Sequence, residues 1–107
     1  MSIDITKVQE HPYEMVEGEK ITFTLTWLGS SSLASPDANA YVDGTDVTSI
    51  TMTSGSHSVS GDVQTLKEFE ALADHAERDV ILSIDCVVDS NTEIREMKIR
   101  IKRRGKE

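Results

Sequence analysis

Three histidines, one cysteine and a serine beside a histidine are the residues with the most versatile chemistry in this chain. His11, His57 and His75 lie too far apart in sequence to follow zinc-ligand spacing. Ser56 precedes His57 in SGSHS, but no Gly-x-Ser-x-Gly elbow surrounds it. Neighbours on a strand point to opposite faces, so the pair reads as turn residues rather than as nucleophile and base. Cys86 stands in VILSIDCVV, where it is expected to be a buried small hydrophobe and not a reactive thiol. A single cysteine allows no internal disulfide, the staple that small secreted domains ordinarily use. Neither GxGxxG nor GxxxxGK[ST] occurs, so no phosphate cradle is expected.

Carboxylates are plentiful. Asp74, His75, Glu77 and Asp79 fall within six residues. Asp37, Asp43 and Asp46 could converge at one end of a β-fold and hold Ca²⁺ through their oxygens. Neither set follows the EF-hand loop, and an acidic surface ordinarily serves solubility, so no cofactor is expected. The acids fall at turns and on outward faces, not as a close pair in a cleft, which argues against glycoside hydrolysis. Five aromatic residues are too few to build a sugar-stacking platform. Taken together, the residues point away from an enzyme.

Charge narrows the partners. Net charge is −8 over 107 residues. Residues 1–92 hold 16 acids and 4 bases, whereas residues 93–107 hold 3 acids and 7 bases. An acidic body repels phosphates, so nucleic acid is not an expected partner. No apolar run approaches the ~20 residues that span a bilayer, so no membrane partner is expected. The N-terminal stretch MSIDITKVQEHPYEM lacks the basic and apolar regions of a signal peptide. Synthesis in the cytoplasm is expected, with export, if any, inside an assembly.

These residues must be held by strands. Val and Ile total 18 against 6 Leu, and Ser plus Thr total 22, a β-forming composition. In Lys20 to Trp27, Ile21, Phe23, Leu25 and Trp27 alternate with threonines, which predicts a half-buried strand. Ile3, Ile5 and Val8 suggest an N-terminal edge strand, interrupted at His11-Pro12 and resumed over Tyr13 to Val16. Leu28 to Asp37 reads as a loop. Asn39 to Val42 and Asp46 to Met52 read as strands around an Asp43-Gly44 turn. His57 to Ser60 and Val63 to Leu66 form a hairpin about Gly61-Asp62, with Val59 and Val63 inward.

Over 67–76 the period changes. Phe69, Leu72, Ala73 and Ala76 have helical spacing, and Thr65 with Glu68 fits a capping box, so a short helix or helical turn is expected. Asp79 to Val88 and Thr92 to Arg103 are long alternating strands around a turn at Asp89-Ser90-Asn91. Ile94 is out of phase with Met97, which suggests a bulge near Arg95-Glu96. Residues 104–107 are expected to fray. Seven to eight strands with regular turn signals predict one all-β domain over 1–107, an antiparallel sandwich, with a barrel as the alternative.

AYVDGTDVTSITMTSGSHSVSGDVQTL, followed by VILSIDCVVDSNTEIREMKIRI, resembles small immunoglobulin-like modules encoded among phage and prophage structural genes. The likeness covers about residues 20–103 and lies in turn chemistry and strand alternation. It implies an immunoglobulin-like sandwich and a structural or adhesive role in a virion-type particle. The chain departs from antibody domains: it has one cysteine, Trp27 lies on the first strong strand, and Val80 stands where a tyrosine corner would begin.

The expectation is therefore a non-enzymatic interaction or assembly module, partnered by another protein or by its own copies. The candidate contacts are Lys98, Arg100 and Lys102 on the basic last strand, with Tyr41, Asp43 and Asp46 on the acidic body. Edge strands and the Ser-rich 29–36 loop would carry the contact. The alternative is a monomeric recognition domain that binds a ligand, glycan or host surface through its loops, residues 31–37 foremost.

Overall fold

Alternating burial governs both sheets of the fold. A computed structural model describes residues 2–4 and 13–105, with side chains from residue 13 onward. Ten strands occur among them: β1 (Ser2–Asp4), β2 (Tyr13–Val16), β3 (Lys20–Thr26), β4 (Leu33–Val42), β5 (Thr45–Asp46), β6 (Ser58–Ser60), β7 (Val63–Thr65), β8 (Phe69–Glu70), β9 (Asp79–Val88) and β10 (Asn91–Lys102). One sheet has the order β1-β3-β7-β6, with β8 also on β3; the other runs β2-β10-β9-β4-β5. The chain is thus all-β, built as two sheets.

The inward phase of each long strand meets in one core. Ile21, Phe23, Leu25 and Trp27 descend from the first sheet. Val80, Leu82, Ile84, Cys86 and Val88 of β9 meet them from the second, with Met97, Ile99 and Ile101 of β10. Tyr13 of β2 packs edge-on against Phe23 of β3 at 5.6 Å between ring centroids, joining the two sheets. Ala38 and Ala40 on β4 are the small residues that let this part of the core close.

β2 pairs parallel with β10, and β1 parallel with β3, so the expected purely antiparallel arrangement holds only for the remaining pairs. The resumed strand at Tyr13 to Val16 is present as β2. The part of the predicted N-terminal strand from Ile5 onward, with the His11-Pro12 interruption, lies outside the described residues.

Several local expectations need correction. The 28–37 loop is shorter, because β4 begins at Leu33. Pro36 is accommodated at a register shift between Ala34 and Asp37, with Ser35 at φ 50°, so the missing N–H falls where the ladder is already broken. Of the Asp46 to Met52 strand only Asp46 is in a strand, as the end of β5. Asp46 Oδ1 accepts the Thr48 N–H at 2.8 Å and turns the chain into a single-turn helix, α1 (Thr48–Thr51). The predicted 67–76 helix shrinks to one 3₁₀ turn at Ala73–His75. Upstream of it Phe69 pairs with Ile21 and Glu68 bridges to Ser54, so extended pairing outcompetes the capping box.

The bulge at Arg95-Glu96 is absent too. β10 pairs with β9 in unbroken register from Asn91 to Arg100. Ile94 is simply outward, and 54% exposed. In the β6–β7 hairpin the fully buried residue is Gln64, not Val63. Arg104 is not frayed: its N–H donates to Glu17 Oε1 at 3.3 Å and its Nη2 to the Glu17 carbonyl at 3.4 Å. The guanidinium occupies the space over Gly18, where a Cβ would meet Nη2 at 2.5 Å and where φ is +94°.

Candidate functional site

β10 is not an edge strand. It lies between β2 and β9, so Lys98, Arg100 and Lys102 project from the face of the sheet rather than from its rim. Cross-strand neighbours absorb two of the three charges. Arg100 Nη1 sits 3.5 Å from Asp79 Oδ1, and Lys102 Nζ 3.2 Å from Glu14 Oε1. Lys98 is exposed and makes no ion pair among the described residues. It stands opposite Ile81, which in turn stands opposite Tyr41, so Lys98, Ile81 and Tyr41 form one row across the outer face.

Asp43 and Asp46 flank the turn that joins β4 to β5. Asp43 and Gly44 both have positive φ, as the Asp-Gly signal requires. Asp43 Oδ2 accepts from Arg78 Nη1 at 3.0 Å. Asp46 stands opposite Tyr41, and its hydrogen bonds from Thr48 hold its carboxyl below the usual range. The structure therefore gathers Tyr41, Asp43 and Asp46 at one corner.

Asp37 lies six residues up β4 from Asp43, roughly 20 Å at strand rise. The three aspartates do not converge. Among the described residues no three His, Cys, Asp or Glu side chains are placed to hold a metal ion. In the second acidic set Glu77 pairs with Arg103 and Asp79 with Arg100, while His75 is buried. Cys86 is buried with its thiol 3.4 Å from the Ala34 carbonyl, and burial pushes its pKa up, against the needs of a nucleophile.

The loop after β3 is exposed yet well tied by hydrogen bonds. Trp27 N–H donates to the Asp62 carbonyl and Ser30 N–H to that of Trp27. Asp89 Oδ1 accepts the N–H groups of Ser31 and Ser32, each at 2.8 Å, and Asp89 N–H donates to the Ser32 carbonyl. Asp89 and Ser90 form a two-residue hairpin turn with φ of 49° and 73°, a left-handed conformation held by these bonds. At the start of this loop Leu28 is 79% exposed. Behind it the Arg95 guanidinium lies 4.9 Å from the Trp27 ring. Each exposed aliphatic residue here, Leu28 and Ile94, is the chain neighbour of one member of that stack.

Residue spacing picked out the Ser-rich loop but not its clamp. The signal for Arg95 was present: it shares the parity of Met97, Ile99 and Ile101, which puts it on the Trp27 side of β10 although it stays exposed. Asp89 carried no such signal, since its partners lie 57 and 58 residues away. The chain matches no family model and no curated protein sequence.

Proposed function

We propose that this chain is a non-enzymatic protein-interaction module with an immunoglobulin-like arrangement, a building block of the kind used in phage-type particles. The strand orders support the arrangement: β1-β3-β7-β6 parallels the A-B-E-D order, and β10-β9-β4-β5 parallels G-F-C with an added C′ strand. The parallel β1–β3 pair is a departure from it.

The observation that carries the proposal is the preordered loop at residues 28–32. Its backbone is clamped by Asp89 while Leu28 is left 79% exposed. An apolar side chain on an already ordered loop binds without the entropic cost of ordering that loop. Beside it the exposed Arg95, held against the buried Trp27 ring, supplies a residue type enriched at contact hot spots. Its assembly contact is therefore centred on this loop, with the Lys98 face secondary, because Arg100 and Lys102 are already neutralised within the chain.

The test is light scattering coupled to size exclusion at low and physiological salt, over a range of concentrations. A discrete oligomer that Leu28→Ser dissociates supports assembly through the loop. An oligomer that resists Leu28→Ser but falls apart with Lys98→Glu/Arg100→Glu and with added salt moves the contact to the β10 face. A monomer under every condition overturns self-assembly. It favours the second reading, a monomeric recognition domain using the same loop, for which the internal pairing of the β10 charges already speaks.

A further inference from the structure

His57 sits immediately before β6, with its side chain largely buried between the two sheets. Its two ring nitrogens have different jobs. Nδ1 accepts the backbone N–H of Lys67 at 3.1 Å. Nε2 lies 3.5 Å from Asp37 Oδ1 on β4 of the opposite sheet. A nitrogen that accepts carries no proton, so the ring is the neutral Nε2–H tautomer, which alone satisfies both neighbours.

The Lys67 bond lies just past the open end of the β6–β7 hairpin, beyond the last ladder pair Ser58↔Thr65. One residue further on, Ser54 bridges to Glu68. β6 is the terminal strand of its sheet, so these contacts hold the segment before β6 in place. Asp37 is held at three points: its Oδ1 faces the imidazole and also accepts the Ala38 N–H at 2.9 Å, and its carbonyl accepts from Gln64 Nε2 at 3.3 Å.

We propose that His57 is a pH-operated latch on the β6–β7 hairpin. With Nδ1 unprotonated it ties residues 53–57 to Lys67; with both nitrogens protonated it releases them. A proton on Nδ1 sets two donors face to face, Nδ1–H against the Lys67 N–H, and that bond cannot survive. The charged ring keeps its attraction to Asp37, so His57 stays against β4 while the segment before β6 parts from Lys67 and the core stays folded.

The facing charges pull in both directions. Asp37, from β4, favours the imidazolium, and Lys67, beyond β7, opposes it. Burial opposes it most, which places the release below the ordinary imidazole range. Asp85 stands opposite Asp37 on β9, and Glu68 is bridged to Ser54; both carboxylates lie among the elements around the ring.

The experiment is NMR on the whole chain from pH 8 to pH 4.5, following the His57 ring resonances and amide protection factors. The latch requires His57 to titrate below the ordinary imidazole value of about 6.5. Lys67 amide protection should then fall by up to tenfold per pH unit across that interval, while Ile99 on β10 keeps its own. An ordinary or raised His57 titration overturns the proposal, as does Lys67 protection that is unchanged when the ring has titrated. Asp37→Asn should push the His57 titration lower still and carry the Lys67 transition with it. His57→Gln should leave Lys67 protection flat with pH. If His57→Gln does not fold, Asp37→Asn decides alone: a Lys67 transition that stays put as the His57 titration moves breaks the link.

Discussion

The indole Nε1–H of Trp27 donates to Oε1 of Gln64 at 2.9 Å, between two side chains that are almost wholly buried. The amide nitrogen of the same glutamine donates to the carbonyls of Asp37 on β4 and Asp85 on β9, at 3.3 and 3.0 Å. Gln64 thus ties the first sheet to the second through the core. Replacing it with Leu leaves an indole N–H and two carbonyls unanswered inside the protein. The expected loss is about 2–4 kcal/mol of stability in urea unfolding, with a smaller loss for Gln64→Glu only at acidic pH, where the carboxyl can donate.

Arg95 covers the Trp27 ring from the end of β10. Arg95→Ala should cost about 0.5–1 kcal/mol and make the tryptophan more accessible to acrylamide quenching. Arg95→Lys should recover part of the stability but less of the shielding, because the planar guanidinium stacks where an ammonium does not.

Leu28 is exposed and makes no contribution to the core cluster. Leu28→Ser should therefore leave the unfolding midpoint unchanged within about 0.5 kcal/mol. Asp89→Ala should have the opposite profile. Two backbone N–H groups lose their acceptor, so amide exchange at Ser31 and Ser32 should speed up markedly while the core amides hold.

The Cys86 thiol is buried and its pKa is raised by that burial. Native protein at pH 8 should react with a disulfide reagent far more slowly than the guanidinium-unfolded chain, which should label completely. Rapid labelling of the native state would place Cys86 at the surface.

Stability should also carry the mark of His57. Its folded-state pKa lies below the ordinary value because burial disfavours the charge. The unfolded chain therefore binds the proton first, and the contribution of neutral His57 is complete above about pH 6.5. It is lost as the pH falls from there through the folded-state value. Urea midpoints measured at pH 7.5 and pH 5 should differ more for the wild type than for His57→Gln.

Alternation alone determined the long strands. Ile21 to Trp27 and Val80 to Val88 each place an apolar residue on every second position, and only an extended chain can bury such a set together. The Asp43-Gly44 turn was equally legible, since two adjacent positive φ values demand that chemistry. What fell outside the sequence was decided between elements distant in the chain. Phe69 opens a run of helical spacing and Glu68 completes a capping box, yet Ile21 and Ser54 take them into extended pairs, because tertiary partners outweigh a short helix that nucleates poorly. Asp46 to Met52 carries β-forming residues, but the carboxylate at its head closes a turn first. Arg100 and Lys102 look like free charges until Asp79 and Glu14 are folded against them. Gln64, Asp89 and His57 have no periodic signature at all, for a polar side chain shows its purpose only in the partners that folding brings within hydrogen-bond reach.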